Sequence, residues 1–277
     1  MTTAQLQHVT AAVAEGSVHS ADGTRIAYRR LGSGPAVVFV HGSVATHTDW
    51  MAVARLLAER FTCFVMDRRG RAKSGEGIGP YSIEREYEDI EAVLAAAKAE
   101  TGSEAFLVGH SYGAICALGV AKRNPPPRLV VYEPPLPAGG PIAGENLAPY
   151  ARAIQEGDLD RAMEFGLDAF PHMPEEAILS LRTSRAWPRV RALAKSWVRE
   201  LVEMDAESQD LTHYGAISSP TLLLAGTASA EHPMHDAARA LAAVLPSVQV
   251  EWLPGLGHSG MREAPEMVAP LIREFLA

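Results

Sequence analysis

The stretch Gly109-His110-Ser111-Tyr112-Gly113 places a serine between two glycines, each two residues away. Before it runs the apolar "AFLVG", which reads as a buried strand. After it comes "AICALGVAKR", which reads as a helix. In that context the pattern predicts a sharp strand-to-helix turn, with small residues where side chains would collide. Ser111 then stands exposed at the carboxyl end of a strand. The N–H of Tyr112, at the start of the helix, points towards any negative charge that develops nearby. The chemistry implied is nucleophilic attack by a hydroxyl. A serine hydroxyl needs a base to take its proton, and that base needs a partner to fix its tautomer and stabilise its cation. The chain has ten histidines and many carboxylates, so the fold must select among them.

The elements that would position such a site alternate along the chain. "AVVFV" (36–40), "TCFVM" (62–66), "AFLVG" (105–109) and "LVVY" (129–132) are continuous apolar runs, followed later by "TLLLA" (221–225) and "VQVEW" (248–252). Runs of this length suit parallel strands covered on both faces. "SVHSADGTRIAYRRLG" (17–32) has an Asp-Gly turn between strand-like segments and reads as a hairpin. Ile83, Tyr87, Ile90, Leu94 and Ala97 form one helical stripe; Met267, Val268, Leu271, Ile272 and Phe275 form another. The alternation predicts an α/β fold. From Pro134 to Ser219 no strand pattern occurs. That stretch opens with "EPPLPAGGPIAG" and continues with helical patterns such as Leu193, Trp197 and Leu201. A structureless loop of that length is uncommon, so 134–219 is expected to be a helical cap inserted into a core of 1–133 and 220–277.

Composition narrows the function. The chain has 277 residues, 47% of them apolar, and a net charge of −8. That balance speaks against nucleic-acid binding and an anionic membrane surface. No apolar run reaches membrane-spanning length. Residues 1–15 lack the pattern of a signal peptide and are expected to form a flexible tail. The only two cysteines, Cys63 and Cys116, fall in apolar segments and read as buried structural thiols. The cytoplasm is the expected location. No metal site and no cofactor is expected.

With these elements in order, the chain resembles the α/β-hydrolase family from about Ser17 to Ala277. "VFVHGS" resembles the His-Gly segment after the third strand, and the resemblance makes the N–H of Ser43 the second oxyanion donor beside that of Tyr112. "DRRGRAKSG" resembles a family loop in which Ala72 stands where a second glycine is usual. "GLGHSG" resembles the final loop that presents the catalytic histidine, which makes His258 the base. The resemblance implies a mostly parallel eight-stranded sheet with helices on both faces and a cap after strand six. His41 is expected to order the oxyanion loop, and His110 to support the elbow.

One position departs from the pattern. The family's usual acid stands three residues after the glycine of "LLLAG", where this chain has Ser229. Two acids compete for the role. Glu231 lies two residues further along the same loop. Glu133 follows strand six in "VVYEPP", a place that certain haloalkane dehalogenases use. Position favours Glu133, stiffened by Pro134 and Pro135; its competing reading is a solvated glutamate at the junction with the cap. The expectation is a serine hydrolase acting on a lipophilic ester or related acyl substrate. A lyase, a cyclase or a ligand receptor using the same pocket is the alternative. Met163, Phe165, Phe170, Met173 and Trp187 are the cap side chains expected to meet substrate, with packing among cap helices as the competing fate. The apolar cap also suits a homodimer contact.

Overall fold

The computed structural model describes residues 12–277. Eleven residues of the expected tail therefore lie outside the described part, and strand β1 (Ala14–His19) already begins inside that stretch. It forms the expected hairpin with β2 (Arg25–Gly32), turning at Gly23 with φ +82°. The remaining strands are β3 (Ala36–Val40), β4 (Thr62–Met66), β5 (Phe106–His110), β6 (Leu129–Tyr132), β7 (Thr221–Gly226) and β8 (Val248–Leu253).

These eight strands form one sheet in the order β1-β2-β4-β3-β5-β6-β7-β8. Strands β3 to β8 run parallel, while β2 is antiparallel to both neighbours. Strand β3 has β4 on one side and β5 on the other. The chain winds outward to β4, then crosses back to β5. The loops after β3 and β5 leave the sheet at this reversal, which opens a crevice at the carboxyl edge.

Both faces of the central strands are apolar, and the period of two divides them between two cores. Val38, Val40, Phe64, Met66, Leu223 and Ala225 face one core; Val37, Phe39, Cys63, Val65, Leu222 and Leu224 face the other. Helices α2 (Ile83–Thr101) and α3 (Tyr112–Arg123) cover the first face, while α1 (Met51–Leu57) and the C-terminal α11 (Pro265–Leu276) cover the second. This double covering explains the uninterrupted apolar runs. Strand β8 differs. As the edge strand it is only partly covered, and Trp252 stays 38% exposed. Both cysteines are buried and free, and burial pushes the Cys63 thiol up to about 12.

Between β6 and β7 lie five α-helices: α4 (Leu147–Gln155), α5 (Leu159–Ala169), α6 (Glu175–Thr183), α7 (Trp187–Ala192) and α8 (Ala194–Ala206). Their apolar stripes join the first core. Tyr150, Phe170 and Trp197 meet edge-on at centroid distances of 5.3–5.8 Å. Asp205 of α8 accepts the N–H groups of Ile142, Ala143 and Gly144 at 2.7–2.9 Å, fixing the segment that leads into these helices. The remaining two α-helices, α9 (Asp236–Val244) and α10 (Gly260–Glu263), flank β8.

Close backbone approach at the β5–α3 turn leaves no room for a side chain at Gly113. A methyl group there would lie 2.4 Å from the carbonyl oxygen of His41 and 2.7 Å from that of Val40. Neither oxygen can rotate away. Gly113→Ala is expected to destabilise the protein by about 3 kcal/mol, at the upper end of overpacking costs, read as a lower urea midpoint at unchanged slope.

Candidate active site

Ser111 stands between β5 and α3 with φ +55° and ψ −129°. A non-glycine residue held there carries on the order of 1–3 kcal/mol of strain. The turn is fixed on both sides: Ser111 N–H donates to the Tyr132 carbonyl at 2.9 Å, and its own carbonyl accepts from Ala114 at 2.8 Å. A methyl group at Gly109 would come within 2.5 Å of the Gly113 carbonyl, and one at Gly42 within 2.8 Å of Ser111 Cβ. The glycines predicted to permit the turn do so by removing these collisions. Tyr112 opens α3, so its N–H is among the donors that a helix leaves without an internal partner.

His258 lies in the loop after β8. Its Nδ1 is 2.7 Å from Glu133 Oε2, so Nδ1 carries the proton and Nε2 is left for the cavity. The other carboxylate oxygen of Glu133 accepts the Gly226 N–H at 2.7 Å. Glu133 itself has φ +45°, and its N–H donates to Leu224 in β7. Burial pushes the Glu133 carboxyl up. The hydrogen bond and charge of His258 outweigh it, helped by the Ser229 hydroxyl and the Gly226 N–H, so its pKa lies below the usual value. Ser229 thus sits beside the carboxylate rather than supplying one, and its buried Oγ makes no hydrogen bond of normal geometry. The alternative acid, Glu231, is exposed and pairs with His235 and Arg239. It does not contact His258.

The histidine loop is held from below. The Tyr132 hydroxyl donates to the Gly257 carbonyl at 2.6 Å, and the His110 Nε2–H donates to the His258 carbonyl at 2.8 Å. Burial, then the charge of His258, holds the His110 pKa well below the ordinary value, so the ring is neutral. His110 therefore spans from the elbow to the histidine loop.

The Gly42–Ser43 loop after β3 is held by His41 and by more than His41. That ring accepts the Arg68 N–H at Nε2, 3.1 Å away, and donates from Nδ1 to the Gly42 carbonyl at 2.8 Å. Burial and the neighbouring Arg68 keep it neutral. Two guanidinium groups also hold the loop. Arg68 Nη1 donates to the Gly42 carbonyl at 3.0 Å, and Arg71 donates to that of Ser43 at 3.2–3.3 Å. The sequence signal was the arginine-rich "DRRGRAKSG" itself. Its departure, Ala72, adopts φ +45°, the conformation for which glycine would be usual.

Ser111, His110, His258, Gly42 and Ser43 line one cavity of about 160 Å³. Leu167, Phe170, Met173, Trp197, Leu201 and Met204 close it from the helical side. Of the expected cap residues, Phe170 and Met173 therefore face the cavity. Met163, Phe165 and Trp187 do not. Met163 lies on the same face of α5 as Leu167, a turn further away and wholly buried among helices. Trp187 is buried in the helical core, with its indole N–H donating to Asp160 at 2.5 Å. Two charged lining residues carried no sequence motif: Asp49 and Arg262, 3.8 Å apart. Among the described residues no cluster of His, Cys, Asp and Glu could hold a metal ion, and no helix is long and apolar enough to cross a membrane.

Residues 37–271 match the model of the alpha/beta hydrolase family. An alpha/beta hydrolase from Sphaerobacter thermophilus superimposes with a TM-score of 0.82 at 32% identity, over 95% of this chain and all of that one. N-formylmaleamate deformylase of Pseudomonas putida is 30% identical over 89% of this chain and 90% of its own length. 2-(Acetamidomethylene)succinate hydrolase of Mesorhizobium japonicum is 26% identical over 90% of each. The fold, the serine elbow and these relatives agree: the chain belongs to the alpha/beta hydrolase family of enzymes.

Proposed function

We propose that the protein is a serine hydrolase that cleaves a small, neutral, apolar ester or related acyl compound through an acyl-enzyme. The observation that carries this reading is the 2.7 Å contact between His258 and a buried carboxylate, in the cavity that Ser111 lines. Ser111 Oγ attacks the acyl carbon while His258 Nε2 takes its proton. Glu133 holds Nδ1–H and stabilises the imidazolium. The N–H groups of Ser43 and Tyr112 bind the oxygen of the tetrahedral intermediate. Collapse breaks the bond to the leaving group, which takes the proton back from His258. Water then attacks the acyl carbon with His258 again as base; collapse breaks the bond to Ser111 Oγ, which takes the proton back from His258, and the acid departs.

Cavity chemistry supports the substrate class. The volume is close to the ~150 Å³ of an apolar cavity that binds benzene, so a group of about that size fits. Two of the relatives are named for substrates that carry carboxylates. In this cavity the cation of Arg262 stands beside Asp49. A carboxylate on the substrate would enter a largely apolar space without a free partner, which is costly.

A fluorophosphonate probe is expected to label the native protein once, at Ser111, with no labelling of Ser111→Ala by intact mass. Glu133→Gln removes the charge that stabilises the imidazolium and should lower kcat about 10³–10⁴-fold. Para-nitrophenyl butanoate is expected to exceed the para-nitrophenyl hemiester of succinate more than about tenfold in kcat/KM. An unlabelled Ser111 would remove the hydrolase reading; a preference for the hemiester would remove the neutral-substrate reading alone.

The Glu133 pair also predicts a pH dependence of stability. Its folded pKa is lowered, so the unfolded chain binds the proton first as pH falls. The stabilisation is present above the ordinary carboxylate range and is lost as pH drops through the lowered value. Urea unfolding should show native protein more stable than Glu133→Gln at about pH 5, with the difference shrinking by about pH 3.

A further inference from the structure

Four charged side chains are buried where α8 meets the oxyanion loop. Arg68, Glu86 and Glu200 have fully buried side chains, and so does Arg71. Two positive and two negative groups leave the cluster neutral. Arg68 is paired with Glu86 through two hydrogen bonds, at 2.6 and 3.1 Å. Glu200 Oε1 accepts from both guanidinium groups, at 2.7 Å from Arg68 and 2.6 Å from Arg71, while its Oε2 is buried with no partner. Glu200 is the only one of the four that comes from the helices inserted between β6 and β7.

This cluster acts on a peptide group. Arg68 donates to the Gly42 carbonyl and Arg71 to the Ser43 carbonyl. The Gly42–Ser43 peptide is trans, and in a planar trans peptide the C=O and the following N–H point to opposite sides. Fixing the Gly42 carbonyl on Arg68 and His41 therefore fixes the opposite direction for the Ser43 N–H. Arg68 also stacks 4.7 Å from the ring centre of Tyr112, whose N–H is the other oxyanion donor. On α8, Glu200 lies next to Trp197, Leu201 and Met204, which line the cavity. One face of this helix thus meets both the substrate space and the supports of the oxyanion loop.

We propose that Glu200 is a positioning residue that aims the Ser43 N–H from the cap, through Arg68 and Arg71. The inference rests on the reading of Ser43 as an oxyanion donor. Removing the carboxylate leaves two buried guanidinium groups facing one carboxylate, and their repulsion releases the carbonyls they hold. A donor shifted from its line loses stabilisation of the intermediate but not of the bound ester, so kcat falls and KM stays.

Two variants test this. Glu200→Gln keeps shape and removes the charge. Arg71→Met/Glu200→Leu removes one charge of each sign, leaves the Arg68–Glu86 pair, and guards against a merely unfolded single variant. With para-nitrophenyl butanoate, kcat should fall about 10–100-fold in the folded variants, with KM within about threefold, somewhat less than loss of a whole donor. The backbone amide signal of Ser43 in ¹⁵N-labelled protein should shift in both, and that of Tyr112 less. Unchanged kcat and an unchanged Ser43 signal in the folded double variant would overturn the proposal. If native protein resists the fluorophosphonate but the Ser43 amide still moves, the positioning stands and the hydrolase reading fails. If native protein is labelled and Ser43 does not move, the positioning role alone fails.

Discussion

A carboxylate without water must be surrounded by donors, and Glu133 meets that demand in one way only. Its side chain is wholly buried. One oxygen takes the Gly226 N–H at the end of β7; the other takes His258 from the loop after β8. The ends of β6, β7 and β8 must therefore converge at the same height, and the parallel register sets them there: His110 pairs with Tyr132, Tyr132 with Leu224, and Gly226 with Leu253. The same edge carries Ser111, because β5 lies beside β6. An unpaired carboxylate at that depth would destabilise the fold and also leave the imidazole without an orienting partner. On the proposed mechanism, stability and chemistry thus rest on one hydrogen-bonded pair.

Much of this was legible in the residues. Apolar runs marked β3, β4 and β6 at their observed limits and β5, β7 and β8 within a residue. For β3 to β7 they did so because strands covered on both faces bury nearly every side chain, whereas the edge strand β8 also carries Gln249 and Glu251. The elbow was legible because its glycines answer backbone contacts, within the turn for Gly109 and from β3 for Gly113, that no change of side chain elsewhere relieves. Choosing between Glu133 and Glu231 was harder, since both are glutamates near the right edge. What separates them is burial: Glu133 is enclosed by three strand ends, while Glu231 stands 69% exposed beside Arg239.

Other features depend on contacts that a sequence does not order. Met163, Leu167 and Phe170 share one helical stripe, yet only the last two reach the cavity. Periodicity assigns a face to a helix but not the point along that face where a neighbour ends. Glu200 carries no motif in the sequence. Its burial becomes intelligible only beside Arg68 and Arg71, more than a hundred residues earlier in the chain, whose charges need a counter-charge at that depth. Asp49 and Arg262 likewise meet only through the fold.

On the proposed mechanism, an acid at the end of β6 also changes what the chemistry leans on. In the family's usual arrangement the acid belongs to the loop after β7, which here carries Ser229. Glu133 instead stands at the point where the chain leaves the sheet for the inserted helices, with φ +45° and two prolines following. Pro135 already lines the cavity. Entry to the cap and orientation of His258 thus share one short, stiff segment. The far end of the cap returns through α8, whose Asp205 clasps the entry segment at Ile142–Gly144 and whose Glu200 reaches the oxyanion loop. On the proposed mechanism, the base and the oxyanion donors are therefore each tied to the inserted helices by separate polar contacts. On the same proposal, changes in the inserted helices that alter substrate preference are not independent of the chemistry beneath them, because the same helices carry both.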